Sequence, residues 1–249
     1  MTVHPDWPIT FFDEDYLKIY QPQLTEERNQ KETEFIAGAL DLPRGATVLD
    51  LACGIGRHAI GMARLGYQMT GVDFNPRYLE SATAEAERVG AKVRWMVGDM
   101  RSLHMEEAFD GAYSYFTSFG YFEDRADDLR VLQNVRRSLR PGGVLVMDVV
   151  GKERLARVLH PTVSQRTADG ALLVQRHHVV DDWSRVRNEW TVVRDGRART
   201  FEFLLRIYSG QELKALLDAA GFARVDLYGA LDGRPYDLEA ERLVAVARR

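Results

Sequence analysis

Val48-Leu49-Asp50-Leu51-Ala52-Cys53-Gly54-Ile55-Gly56-Arg57-His58-Ala59 is the stretch on which the fold turns. An apolar run stops at a Gly-x-Gly turn, and an Ala/Ile/Met pattern follows. That order reads as a buried strand, a tight turn built on glycine backbone, and a helix. A second apolar run, Met69-Thr70-Gly71-Val72, ends in Asp73, about 20 residues after the glycines. Strand, glycine turn, helix, strand and terminal acid together describe a site for a nucleoside-bearing cofactor.

Strand and helix keep alternating outward from this unit. A helix is expected over 57–65, a strand over 67–73, and a helix from Pro76, well suited to a first turn, to Gly90. Strands follow over 92–97 and 111–115. A helix over 124–139 places Leu129, Leu132, Val135 and Leu139 on one face. Pro141-Gly142-Gly143 then turns into Val144–Val150, an apolar run of parallel-strand character. Upstream, residues 1–24 are aromatic and irregular (Trp7, Phe11, Phe12, Tyr16, Tyr20), and a helix is expected over 25–40. The pattern is that of a doubly wound α/β sheet with helices on both faces.

The character changes after Gly151. Residues 171–207 alternate and are rich in Val, Thr, Trp and Phe, with Asp195-Gly196 as a hairpin signal. Three antiparallel strands are expected, over 173–180, 188–194 and 200–208. Ser209-Gly210-Gln211-Glu212 is a capping box opening a helix that stops at Gly221. Two strands, over 222–229 and 241–247, end the chain.

Bulk properties narrow the function classes. The 249 residues suit one domain, and the net charge of −4 argues against a nucleic-acid binder. A local cluster, Arg185, Arg187, Arg194, Arg197 and Arg199, reads as the solvated face of strands. A single cysteine rules out an internal disulfide and a cysteine-rich metal site. The first residues carry His4, Asp6 and Asp13 rather than a signal-peptide core, and no run approaches ~20 apolar residues. A cytoplasmic protein without membrane contact is expected, as a monomer or homodimer.

By itself Gly54-x-Gly56-x-x-Ala59 fits a dinucleotide fingerprint as well as an S-adenosylmethionine turn. The downstream segments separate the two. With Gly71-Val72-Asp73-Phe74-Asn75-Pro76, Val97-Gly98-Asp99-Met100, Phe109-Asp110-Gly111-Ala112 and Leu139-Arg140-Pro141-Gly142-Gly143-Val144, the chain resembles the class I S-adenosylmethionine-dependent methyltransferases over roughly residues 35–249. The resemblance implies a seven-stranded, mainly parallel, Rossmann-like sheet with a reversed last strand and an antiparallel insertion after the fifth strand. It divides the single domain into a lid segment and helix (1–40), a cofactor-binding half (41–151), the insertion over the substrate site (152–208), and a final helix and strand pair (209–249).

It also implies roles. Asp50 would orient the turn and the amino end of the methionine moiety, which the backbone of Ala52, Cys53, Gly54 and Gly56 would line. Asp73 would hold the ribose, Phe74 and Met100 would sandwich the adenine, and Asp99 would take its amine. Tyr115 would sit near the reactive methyl, with Tyr16, Tyr20 and His58 as further cofactor contacts. Cys53 reads as a small buried residue rather than a nucleophile. The cofactor is then S-adenosyl-L-methionine, the product S-adenosyl-L-homocysteine, and no metal is required.

The aromatic run Tyr115–Phe122 would wall a small-molecule pocket with Phe116, Ser118, Phe119 and Tyr121, joined by Arg206 and Tyr208 from the insertion. Tyr115-Phe116-Thr117-Ser118 differs from the Asn/Asp-Pro-Pro-Tyr/Phe tetrapeptide of methyltransferases that act on base amines. No catalytic base is apparent. The expected function is methyl transfer to a nitrogen or oxygen of a small molecule. The alternatives are a protein- or RNA-directed methyltransferase, a non-catalytic interaction module on the same fold, and a nicotinamide oxidoreductase.

Overall fold

A computed structural model describes residues 11, 12 and 14–249; Trp7 and the rest of 1–10 lie outside the described residues, as does Asp13. Among the described residues, helices α1 (Glu14–Tyr20) and α2 (Glu26–Leu40) precede the first strand. Thr25 caps α2, its side chain accepting from the Arg28 amide. Strands β1 (Thr47–Leu51), β2 (Gln68–Asp73), β3 (Val93–Val97), β4 (Phe109–Ser114) and β5 (Leu139–Val149) then alternate with α3 (Arg57–Arg64), α4 (Pro76–Val89) and α5 (Arg125–Ser138). Asn75 caps α4 with Pro76 in its first turn, as the sequence suggested.

The main sheet has seven strands in the order β10-β11-β5-β4-β1-β2-β3, with β10 at Arg224–Tyr228 and β11 at Leu243–Arg248. Strand β11 alone runs against its neighbours, pairing antiparallel with both β5 and β10. Strand order reverses between β1 and β4, so the crevice for a ligand opens at the carboxyl ends of those two strands. Apolar side chains cover both sheet faces. Leu49, Leu145 and Met147 pack with Leu132 of α5 and with Leu213 and Leu217 of the last helix. Val48, Val146 and Val244 pack with Ile36 of α2 and Met62 of α3.

Strand β5 starts earlier than expected, and Pro141-Gly142-Gly143 lies inside it. Phe109 faces Leu139 while Gly111 faces Val144, so the tripeptide is an irregularity in the ladder rather than a turn before it.

The insertion opens with helix α6 (Lys152–Val158) and holds four antiparallel strands, not three. They are β6 (Thr162–Arg166), β7 (Leu172–Val180), β8 (Arg185–Arg194) and β9 (Arg197–Arg206) in sequential order. β6 is a polar edge strand with one apolar residue, so it has no alternation to betray it. Asp195 and Gly196 both take positive φ between β8 and β9, as the hairpin signal requires. Helix α7 (Gly210–Ala219) starts with the reciprocal capping box of Ser209 and Glu212.

The covering sheet and the N-terminal helix share a core. Phe11 packs on Phe203 with ring centroids 4.2 Å apart and on Trp190 at 5.3 Å. Tyr16 and Tyr20 of α1 pack against the same cluster. This aromatic plug spans the carboxyl edge of the main sheet.

Candidate functional site

The glycine turn is held from the neighbouring strand. Asp73, at the end of β2, accepts from the Gly54 amide through Oδ2 at 2.8 Å and from the Asn75 amide through Oδ1 at 2.9 Å. The Cys53 amide donates to the Val72 carbonyl at 3.0 Å. Ala52, Gly54 and Gly56 all take positive φ, which bends the chain sharply between β1 and α3. Burial raises the Asp73 carboxyl above its ordinary value, against the pull of the Asn75, Gly54 and Phe74 amides.

Asp50 is buried at 3 % exposure, and its Oδ2 has no hydrogen-bond partner. The Tyr113 hydroxyl stands beside it and pulls the carboxyl down, against the effect of burial. Burial pushes the Asp50 carboxyl up to about 7, and the Asp73 charge adds to this.

Beside Asp50 lies a buried charge cluster that sequence reasoning missed except for His58. Glu32 of α2 is 1 % exposed. Its carboxylate accepts from Arg28 Nε at 2.8 Å, from His58 Nε2 at 2.9 Å and from Arg57 Nη1. Burial would raise Glu32, but His58 and Arg57 outweigh it and hold the carboxyl down at about 2. Burial depresses His58 to about 4, so its imidazole is neutral at pH 7 and donates Nε2–H to Glu32. Arg57 Nη2 is buried without a partner.

The aromatic segment after β4 is strained. Phe116 and Thr117 take φ of 64° and 56°, a conformation that costs non-glycine residues on the order of 1–3 kcal/mol each. Asp148 of β5 fixes it: its Oδ2 accepts from the Phe116 amide at 2.9 Å and its carbonyl from the Thr117 amide at 3.0 Å. Arg242 closes the arrangement with Nε on Asp148 Oδ1 at 2.6 Å and Nη2 on Thr117 Oγ1 at 2.9 Å. The guanidinium carbons of Arg28 and Arg57 each lie 5.2 Å from the Phe116 ring centroid.

These elements enclose a cavity of about 600 Å³. Tyr16, Tyr20, Asp50, Ala52, Cys53, Gly54, His58, Asp73, Phe74, Asp99, Met100 and Tyr115 all line it, and so do Phe116, Ser118 and Tyr121. Tyr20 stacks edge-on against Phe116 at 5.4 Å, placing α1 against the aromatic segment after β4. Asp99, also on the cavity wall, is partly neutralised by Arg101. Burial pushes the Cys53 thiol up, in keeping with a small buried residue.

Four residues expected at the site do not line the cavity. Gly56 is packed instead: a Cβ there would meet the Trp95 ring at 2.4 Å and Ala82 at 2.9 Å. Phe119 is 2 % exposed and packs on Tyr208 in the core. Arg206 and Tyr208 both turn to buried Asp128 of α5, at 3.0 and 2.6 Å, where they tie the end of the covering sheet to the main domain. Conversely, Arg185 and Arg187, read from sequence as a solvated face, line the cavity. Of the two histidines of β7, His177 bonds Asn188 at 2.8 Å and His178 is exposed; neither lines the cavity.

Residues 48–143 match the methyltransferase domain family. The chain is 31% identical over 143 residues to a ubiquinone biosynthesis O-methyltransferase of Xanthomonas axonopodis pv. citri, covering 53% of this chain and 59% of that protein. The chain thus spans under two thirds of that relative's length. The protein YqeM of Bacillus subtilis is 25% identical over 214 residues, covering 83% of this chain and 85% of its own. Among solved structures, an S-adenosylmethionine-dependent methyltransferase from Clostridium acetobutylicum superposes with a TM-score of 0.78 at 20% identity, covering 97% of this chain and 98% of that one. An amino pentose methyltransferase from Micromonospora echinaspora, solved with S-adenosylmethionine bound, gives 0.71 at 23% identity, covering 95% and 97%. At these identities the structural likeness is one of fold.

Proposed function

We propose that the chain is a class I S-adenosylmethionine-dependent methyltransferase that methylates a nitrogen or oxygen of a small molecule, a reading supported by the methyltransferase domain match over residues 48–143. The observation that carries the reading is a pair of buried polar atoms left without partners. Asp50 Oδ2 and Arg57 Nη2 stand at the glycine turn, one anionic and one cationic. The α-amino and α-carboxylate groups of a methionine moiety are their complement. A buried polar group without a partner costs about 1–3 kcal/mol, so a ligand that satisfies both gains affinity there.

The remaining roles are those the family resemblance implies, and the residues that would fill them lie on the cavity wall. Asp73 takes the ribose hydroxyls with the lone pairs its two backbone bonds leave free. Phe74 and Met100 flank the adenine and Asp99 accepts from its amine. Tyr16 and Tyr20 close the methionine end from the lid. The cofactor supplies an electrophilic methyl on sulfonium. The protein's part is to hold the acceptor atom about 3–3.5 Å from that carbon, in line with the leaving sulfur, and to keep water out. The aromatic wall of Tyr115, Phe116 and Tyr121 does the second. No residue is assigned as a base: the neutral imidazole of His58 is engaged by Glu32, and an acceptor already unprotonated needs none.

A cavity of about 600 Å³ under a covering sheet suits a cofactor and a small acceptor rather than a folded macromolecule. Thermal unfolding with S-adenosylhomocysteine tests the reading. Ligand at about 100 times its dissociation constant adds about 2.7 kcal/mol, which raises the Tm of a chain this long by roughly 5–10 °C. A rise with NADH and none with S-adenosylhomocysteine overturns it.

A further inference from the structure

Four arginines line the cavity: Arg57, Arg101, Arg185 and Arg187. Three are committed within the protein. Arg57 is held by Glu32, Arg101 by Asp99 and Asp127, and Arg185 by Asp181. Arg187 forms no ion pair and no side-chain hydrogen bond among the described residues. Glu123, a carboxylate on the same cavity wall, does not engage it.

The placement is built rather than incidental. Arg187 sits in an interior strand of the covering sheet, opposite His178 of β7 and Leu204 of β9, and Leu204 also lines the cavity. Arg185 projects from the same side of β8, two residues earlier. Carboxylates are available to this sheet: Arg176 pairs with Glu189, and Arg194 with Asp15 and Asp169. A half-buried guanidinium that faces the cavity loses hydration without gaining an acceptor, a net cost unless something else supplies one.

We propose that Arg187 is the recognition point for an oxyanion, a carboxylate or a phosphate, carried by the methyl acceptor. The word acceptor rests on the methyltransferase reading; the anion site does not. The guanidinium fork matches two oxygens of either group, which fixes orientation as well as contact. Because Arg187 comes from the covering sheet and the cofactor residues from the main sheet, the anion would anchor the acceptor from the insertion side.

The test is calorimetric titration of the protein saturated with S-adenosylhomocysteine, using inorganic phosphate and malonate as separate probes at constant ionic strength. At least one anion is expected to bind. Arg187→Gln weakens it about tenfold or more, and Arg187→Lys recovers part of the loss. Arg224→Gln, at an exposed position on β10, leaves it unchanged. Preference for phosphate points to a phosphorylated acceptor and preference for malonate to a carboxylated one. Neither anion binding at about 10 mM, or Arg187→Gln binding as the parent does, overturns the proposal. If S-adenosylhomocysteine itself fails to bind, the methyltransferase reading falls, while the anion titration on the ligand-free protein still decides the role of Arg187.

Discussion

Asp50 gives the site a pH dependence of definite sign. Its carboxyl is raised to about 7, chiefly by burial. A raised carboxyl stabilises the fold most below its unfolded value of ~3.9, and that contribution is lost as pH rises through the folded value. Ionised Asp50 is therefore a local cost, and a ligand ammonium beside it offsets that cost. Affinity for S-adenosylhomocysteine should fall below pH 7, by up to about tenfold per unit. Titrations on either side of pH 7 check this, and Asp50→Asn should flatten the profile while weakening binding overall. Asp73→Ala should reduce affinity by about 1.5–3 kcal/mol, because the ribose partner and the anchor of the Gly54 amide go together. Unchanged affinity in calorimetry would remove Asp73 from the site. Both acids were legible in the sequence because Asp50 stands one residue before the end of the strand that enters the glycine turn and Asp73 ends the next strand. Glu32 and Arg57 were not, since their bond joins residues 25 apart through the packing of α2 on α3. Arg187 was misread because strand alternation does not say what lies over each face.

At the level of single elements, Gly56 shows how a correct motif can be given the wrong reason. From the fingerprint, its lack of a side chain admits the ligand. In the fold, Trp95 of β3 and Ala82 of α4 occupy that space, and the residue has φ of 76°. Gly56→Val should therefore destabilise the protein by about 2–4 kcal/mol through overpacking and left-handed strain. Denaturant unfolding measures this; a variant that unfolds like the parent but binds no cofactor would restore the ligand-contact explanation. The parallel strands and their helices were readable because caps, glycine stops and apolar runs agreed, as at Asn75-Pro76 and at Ser209–Glu212. Strand β6 escaped because Thr162–Arg166 is strand only by pairing with β7. The early start of β5 escaped because Pro141-Gly142-Gly143 reads as a turn whether or not the ladder resumes beyond it.

At the scale of the whole molecule, α1 is latched to the covering sheet. Asp15 of α1 reaches Arg194 at 2.7 Å and Arg199 at 3.2 Å on the β8–β9 hairpin. Partly exposed pairs contribute about 0.2–1 kcal/mol each. Asp15→Ala should speed S-adenosylhomocysteine dissociation by about two- to tenfold, as measured by stopped flow, and raise hydrogen exchange over α1. High salt should speed the parent in the same direction; an unchanged off-rate in the variant would show that the aromatic plug alone holds α1. The reversed strand β11 has a different kind of consequence, in the timing of synthesis. It lies between β5 and β10, and Arg242 just before it clamps Asp148 and, through it, the strained Phe116–Thr117 wall. On the ribosome these residues emerge after every other strand of the sheet. A nascent chain halted before Arg242 can lay down the whole glycine turn and still leave the acceptor wall unclamped. The order of translation thus makes the Phe116–Thr117 wall the last part of the cavity to be fixed in place.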